Sequence, residues 1–217
     1  MNKMTRLPIV LCSFIIAVGL NGCASLSQET DSVFSYSSIP IAQGSATTGE
    51  GSSIQFQGSA LALSGQGIAT GDSLRSVNVA KGDLSLLDIA STKGTVRIIS
   101  VVPSLDTKVC EQQTHYLSEK NRGLDAQVDL YTISVDTPFA QDRFAKDAKI
   151  NNVTFLSDYR GGDFGRTYGL LLEGPHVLAR AIMVVDQNNV IQYLQITPDL
   201  ATMPDMDAAF EAARKLL

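Results

Sequence analysis

Within the 217-residue chain, one short stretch holds the side chains best suited to attack an electrophile: Pro103-Ser104-Leu105-Asp106-Thr107-Lys108-Val109-Cys110. The chain has three cysteines, Cys12, Cys23 and Cys110, and the first two fall in its first 23 residues. The residues ahead of the stretch, Thr95 to Val102, are β-branched and mostly apolar. They predict a central strand that stops at Pro103, which cannot extend a hydrogen-bonded ladder. From Val109 onward the spacing is helical, with Asp106 or Thr107 as N-cap and Gly123 as the stop. Cys110 therefore falls in the first helical turn. There the positive end of the helix dipole and unpaired backbone N–H groups favour the thiolate, which is the nucleophilic form. Taken alone, a cysteine is more often a small core residue than a nucleophile.

The surrounding motif decides between these readings. Pro103-x-x-x-Thr107-x-x-Cys110 resembles the peroxiredoxin signature, and Pro-Ser-x-Asp-Thr-x-Val-Cys resembles its thiol peroxidase branch, the atypical two-cysteine peroxiredoxins. Further blocks follow in family order. Ile54-Gln55-Phe56-Gln57-Gly58 is similar to the amino-terminal hairpin, Val135 to Phe144 to the segment that carries the second cysteine, and Leu178 to Asp186 to the strand that supplies an arginine.

The resemblance, which runs from about Ser52 to Leu217, implies a role for each matching residue. Cys110 is the peroxidatic cysteine, whose thiolate attacks a hydroperoxide oxygen and becomes a sulfenic acid. Thr107 positions the peroxide, Arg180 stabilises the thiolate and polarises the O–O bond, and Pro103 shields the pocket. It also implies an α/β thioredoxin-like (peroxiredoxin) fold, with an N-terminal β-hairpin and a central mixed sheet flanked by helices. No cofactor is implied, and a homodimer is. The departure from the family lies at Ala145, where the resolving cysteine normally stands. No other thiol beyond the leader can condense with the sulfenate. Two outcomes stay open: a one-cysteine peroxidase reduced by an external thiol or thioredoxin-like protein, or a non-turnover lipoprotein that binds a partner or senses peroxide stoichiometrically. Lys108, at a variable motif position, adds a cation beside the pocket.

The amino terminus carries Lys3 and Arg6 and then an apolar run from Pro8 to Leu20, a signal-peptide pattern over residues 1–22 that is too short for a span of about 20 residues. Leu20-Asn21-Gly22-Cys23 resembles a bacterial lipobox, which implies that Cys23 is lipidated and anchors the chain to a membrane. Ala24, rather than an aspartate, implies the outer membrane with the domain facing the periplasm. Residues 23–51, rich in Ser, Thr, Gly and Gln, predict a flexible tether, with a weak extended segment around Val33-Phe34-Ser35-Tyr36. Residues 52–217 form the single catalytic domain.

Composition excludes several classes. Without Lys3 and Arg6 the chain keeps 15 basic and 22 acidic residues, a net charge of −7. With no basic run, a footprint on nucleic acid is absent. Only His115 and His176 are available, and a spacing of five puts His115 and Cys110 on different helix faces. No zinc-type ligand cluster and no Cys-x-x-Cys pair is present.

The remaining pattern predicts a hairpin over 54–63, a strand at 76–79, a short helix at 86–90 and a strand at 128–135. A helix from Pro138 to Ala148 follows, then a strand at 153–156 and a helical turn at 164–168. Strands at 181–185 and 190–195 and a last helix from Pro204 complete it. The activity expected is thiol-dependent reduction of hydrogen peroxide and organic hydroperoxides, with lipid hydroperoxides the natural target at a membrane surface.

Overall fold

The computed structural model describes Met1 and residues 34–217, so the leader, the lipobox and Cys23 lie outside the described residues. Among the described residues, eleven strands form two sheets. In chain order they are β1 (Ser53–Phe56), β2 (Ser59–Ser64), β3 (Asn78–Ala80), β4 (Leu86–Asp88), β5 (Val96–Val101), β6 (Val128–Ser134), β7 (Thr154–Ser157), β8 (Leu171–Leu172), β9 (Val177–Leu178), β10 (Ala181–Val185) and β11 (Ile191–Ile196). Four α-helices accompany them among the described residues: α1 (Lys108–Glu119), α2 (Pro138–Asp147), α3 (Asp163–Thr167) and α4 (Met206–Arg214).

The larger sheet runs β11-β10-β5-β6-β7-β3-β4. Its centre is parallel, β5 to β6 to β7, while β10 lies antiparallel to β5. All six residues of β5 are buried, as a strand covered on both faces requires. Ile98 joins the cluster formed with Leu117 of α1 and Phe210 of α4, and Ile99 joins the cluster formed with Phe164 and Tyr168 on the other side. The smaller sheet, β1-β2-β8-β9, opens with the expected hairpin. Gln57 and Gly58, at φ 51° and 80°, make the two-residue left-handed turn that such hairpins favour. The mixed thioredoxin-like architecture is the one expected from the sequence.

Three local expectations are corrected. The helix expected at 86–90 is the edge strand β4 followed by a 3-10 turn at Ile89–Thr92, because the Asp88 carboxylate caps Ala90 N–H and ends the strand. The Cys110 helix stops at Lys120 rather than at Gly123, which opens a separate 3-10 turn. The two-residue strands β8 and β9 are too short to give any alternating pattern, and the sequence does not predict them.

A fourth correction concerns the tether. Residues 34–51 lie on the domain. Phe34 stacks on His115 of α1, centroids 3.8 Å apart and planes at 12°. Tyr36 Oη donates to Glu119 at 2.8 Å, and burial with this carboxylate partner pushes the phenol's pKa well above its ordinary value. Ser37 N–H donates to Gln112 Oε1 at 2.7 Å, and Gln112 Nε2 donates back to Ser37 O at 3.0 Å. Further along, Ala42 is buried, Ile41 bridges Met203, and Ala46 N–H donates to Ile196 O at 2.9 Å. Polar composition predicts a tether, but side chains of α1 and the β11 backbone supply partners that composition does not reveal.

Candidate active site

The site is built where β5 ends. After Val102, whose N–H still bonds Ile133 O at 3.0 Å, Pro103 turns the chain into a loop across the carboxyl ends of the parallel strands. Open α/β sheets bind their ligands at this edge. Asp136, just past β6, ties the loop down. Its carboxylate accepts Ser104 Oγ–H and Leu105 N–H, both at 2.8 Å, and Ser134 Oγ–H at 2.8 Å. α1 then starts with Thr107 at its N-cap position and Cys110 in its first turn.

Thr107 does not cap the helix with its side chain. Its Oγ1 lies 2.9 Å from Cys110 Sγ and 3.1 Å from Ser104 O. A hydroxyl has one proton, so it serves one of these acceptors at a time. With sulfur as a thiol, the S–H can donate to Oγ1 while Oγ1–H donates to Ser104 O. With sulfur as a thiolate, the hydroxyl donates to sulfur.

Arg180 arrives from the opposite direction. It immediately precedes β10, and the pairing of Ala181 with Val101 sets it beside the end of β5. The residue is 2% exposed and its guanidinium makes four hydrogen bonds to three acceptors. Nε and Nη2 meet Leu200 O at 3.2 and 3.1 Å, Nη1 meets Gln113 Oε1 at 2.9 Å, and Nη2 meets Cys110 Sγ at 3.4 Å. Among the described residues no carboxylate pairs with Arg180, so this buried cation is fully matched only when Cys110 carries the negative charge.

Sequence reasoning overlooked Gln113. It is fully buried one turn beyond Cys110, accepts from Arg180, and donates to Ser100 Oγ at 2.8 Å and Ala181 O at 3.2 Å. The available signal was an uncharged polar residue three positions after the thiol, on the helix face directed at the sheet.

A cavity of about 450 Å³ lies beside the residues that touch the sulfur. Pro103, Thr107 and Arg180 are in its wall beside the apolar Phe56, Leu61, Val109, Val177 and Leu200. Cys110 is itself fully buried, in contact with two of the wall residues and packed with Val102 and Leu105. Ala145 is half-buried on α2, next to Phe144, which packs against the Cys110 cluster. Cys110 is the only cysteine among the described residues, and it is free. His115 is engaged by Phe34 and by Glu119 at 2.6 Å, whereas His176 is exposed on the turn between β8 and β9. Among the described residues no group of three or more His, Cys, Asp or Glu is placed to hold a metal ion.

Residues 69–210 match the family model described as Redoxin. The chain belongs to the redoxin family. It is 39% identical over 150 residues to a thiol peroxidase of Halalkalibacterium halodurans, covering 69% of this chain and 90% of that protein. A thiol peroxidase of Oceanobacillus iheyensis is 40% identical over 145 residues, with 67% and 88% covered. Among solved structures, a peroxiredoxin-like protein from Aquifex aeolicus superposes with a TM-score of 0.72 at 32% identity, over 80% of this chain and all of that one. This redoxin is thus of the thiol peroxidase type, an oxidoreductase that reduces peroxides at the expense of thiols.

Proposed function

We propose that this redoxin works as a one-cysteine peroxidase through Cys110. The observation that carries the reading is a buried sulfur held between Thr107 Oγ1 and Arg180 Nη2, with Ala145 where a second sulfur would stand. The Cys110 thiolate attacks the terminal oxygen of a hydroperoxide. An S–O bond forms, the O–O bond breaks, and the leaving alkoxide takes a proton from solvent to become an alcohol or water. Thr107 orients the peroxide, Arg180 meets the negative charge that shifts from sulfur to oxygen, and Pro103 limits water. Donors aimed at developing charge contribute about 3 to 4 kcal/mol each in other enzymes.

The Cys110 sulfenate then condenses with an external thiol, releasing water. A second external thiol exchanges the mixed disulfide, which regenerates Cys110. Because Cys110 is fully buried, a protein thiol reaches it only after the first turn of α1 opens.

The apolar wall favours organic over inorganic peroxide, and lipid hydroperoxides fit this wall. We propose further that the chain is lipidated at Cys23 and held at the outer membrane facing the periplasm, which rests on the lipobox-like Leu20-Asn21-Gly22-Cys23 and on Ala24. Since the domain begins by Phe34, ten residues, 24–33, separate it from such an anchor. Fully extended they reach at most about 40 Å. A homodimer is the assembly that the family resemblance implies, and sedimentation tests it.

The mechanism is tested on the full chain carrying Cys12→Ser and Cys23→Ser, mixed with one equivalent of hydroperoxide and followed by quenched-flow intact mass. Fast addition of one oxygen at Cys110, reversed by a thioredoxin-like dithiol, is expected. Oxidation no faster than that of a free thiol would favour a binding or structural role, and a fast-formed sulfenate that no thiol reduces would favour a stoichiometric sensor.

A further inference from the structure

The cavity over Cys110 has one feature that peroxide reduction does not use. Its wall contains two cations and no carboxylate: the buried Arg180 and the exposed Lys108. Arg180 has its donors filled by Gln113, Leu200 O and the sulfur. Among the described residues, the Lys108 side chain has no hydrogen bond and no ion pair. The nearest acidic residue in the loop, Asp106, pairs with Arg143 at 3.8 Å. The rest of the wall is largely apolar and the volume, about 450 Å³, lies in the range of small-ligand pockets.

An apolar slot whose wall includes the two residues that touch the Cys110 sulfur, Thr107 and Arg180, and an exposed lysine, Lys108, is complementary to an amphiphile with a single anionic head, an alkyl chain and an oxidised carbon along that chain. We propose that Lys108 is a specificity residue that binds the carboxylate of a fatty-acid hydroperoxide. The chain then packs against Phe56, Leu61, Val177 and Leu200, and the hydroperoxide points toward Thr107 and Cys110. This rests on the reading that the pocket takes acyl hydroperoxides, and it narrows that class to free, ionised fatty acids over esterified ones. An ammonium at an exposed rim contributes modestly, since such pairs are worth about 0.2–1 kcal/mol, and the effect is screened by salt.

The test compares a hydroperoxy fatty acid with its own methyl ester and with tert-butyl hydroperoxide. Rates of oxygen addition at Cys110 are measured on the full chain with Cys12→Ser and Cys23→Ser, with and without Lys108→Met or Lys108→Glu. The acid-to-ester rate ratio is the readout, because a general change in thiolate reactivity cancels in it. We expect a ratio of about two to five at low salt. It should fall toward one in Lys108→Met, below one in Lys108→Glu, and toward one for the unsubstituted Lys108 chain at about 1 M salt. A ratio that persists in Lys108→Met overturns the proposal, because another cation then reads the carboxylate. A ratio of one with both acyl substrates faster than tert-butyl hydroperoxide also overturns it while leaving the acyl pocket standing. If neither acyl substrate beats tert-butyl hydroperoxide, the acyl reading itself falls and takes the proposal with it.

Discussion

Gln113→Met isolates what the buried glutamine does for the site. Methionine is unbranched and close to glutamine in length, so the packing against Ser100 and Ala181 is largely kept while three hydrogen bonds disappear. The bond that matters for chemistry is Arg180 Nη1 to Gln113 Oε1 at 2.9 Å. A hydrogen bond to a charged group is worth about 1.5–3 kcal/mol, and Nη1, on a side chain 2% exposed, has no water to replace it. If the loss appears as misplacement of the guanidinium that faces sulfur, each 1.36 kcal/mol corresponds to a factor of ten in rate. Oxygen addition at Cys110 should therefore slow by about 10- to 150-fold.

The assay is quenched-flow intact mass with one hydroperoxide over a range of pH, paired with urea unfolding of the same protein. A loss of positioning moves the pH profile as well as the rate, since Arg180 no longer meets the thiolate in the same geometry. A merely structural role would lower stability and leave both unchanged in the folded fraction. A stable Gln113→Met protein that reacts within twofold of the parent, with the same pH profile, would refute the view that Gln113 holds Arg180 in place.

Other perturbations test the surroundings of the site. Phe34→Ala removes a half-buried ring stacked on His115, which should cost about 1–2 kcal/mol in urea unfolding and raise hydrogen exchange in α1; unchanged exchange there would detach residues 34–37 from the Cys110 helix. Ala145→Cys restores a second sulfur next to Phe144, and peroxide treatment should then give a disulfide between Cys110 and the introduced thiol, read as loss of two hydrogens by intact mass; a persistent sulfenate instead would show that α1 and α2 do not open together. The Asp88 carboxyl is held below its ordinary value of 3.8 by the Ser76 hydroxyl first and by the Ala90 and Val77 N–H groups, against the opposing effect of desolvation. Its contribution to stability is thus present above about pH 3.8 and lost as pH falls through the lower folded value, so Asp88→Asn should flatten the acid limb of a stability–pH curve.

The sequence by itself determined the placement of Cys110 at the start of a helix after a central strand, and most of the order of elements. A β-branched run ended by proline and followed by helical spacing leaves little freedom over where Cys110 sits, because local sterics and hydrogen bonding set strand stops and helix starts. Arg180 and Thr107 came from the family blocks, and the structure places both against the sulfur. The tertiary structure alone decided what depends on contacts between segments far apart in the chain. Gln113 matters because the fold brings Arg180, 67 residues on and just ahead of β10, to meet it, and its own helix signals only a polar residue on the sheet-facing side, not its partner. Residues 34–46 read as tether because their partners, Gln112, Glu119 and Ile196, lie on α1 and β11, and backbone groups satisfied at long range leave no periodic trace in a polar segment. The exposed Lys108 likewise became informative once the fold had set it in the wall of a largely apolar cavity and paired Asp106 with Arg143, since a lone lysine in a sequence is by default a solvated charge.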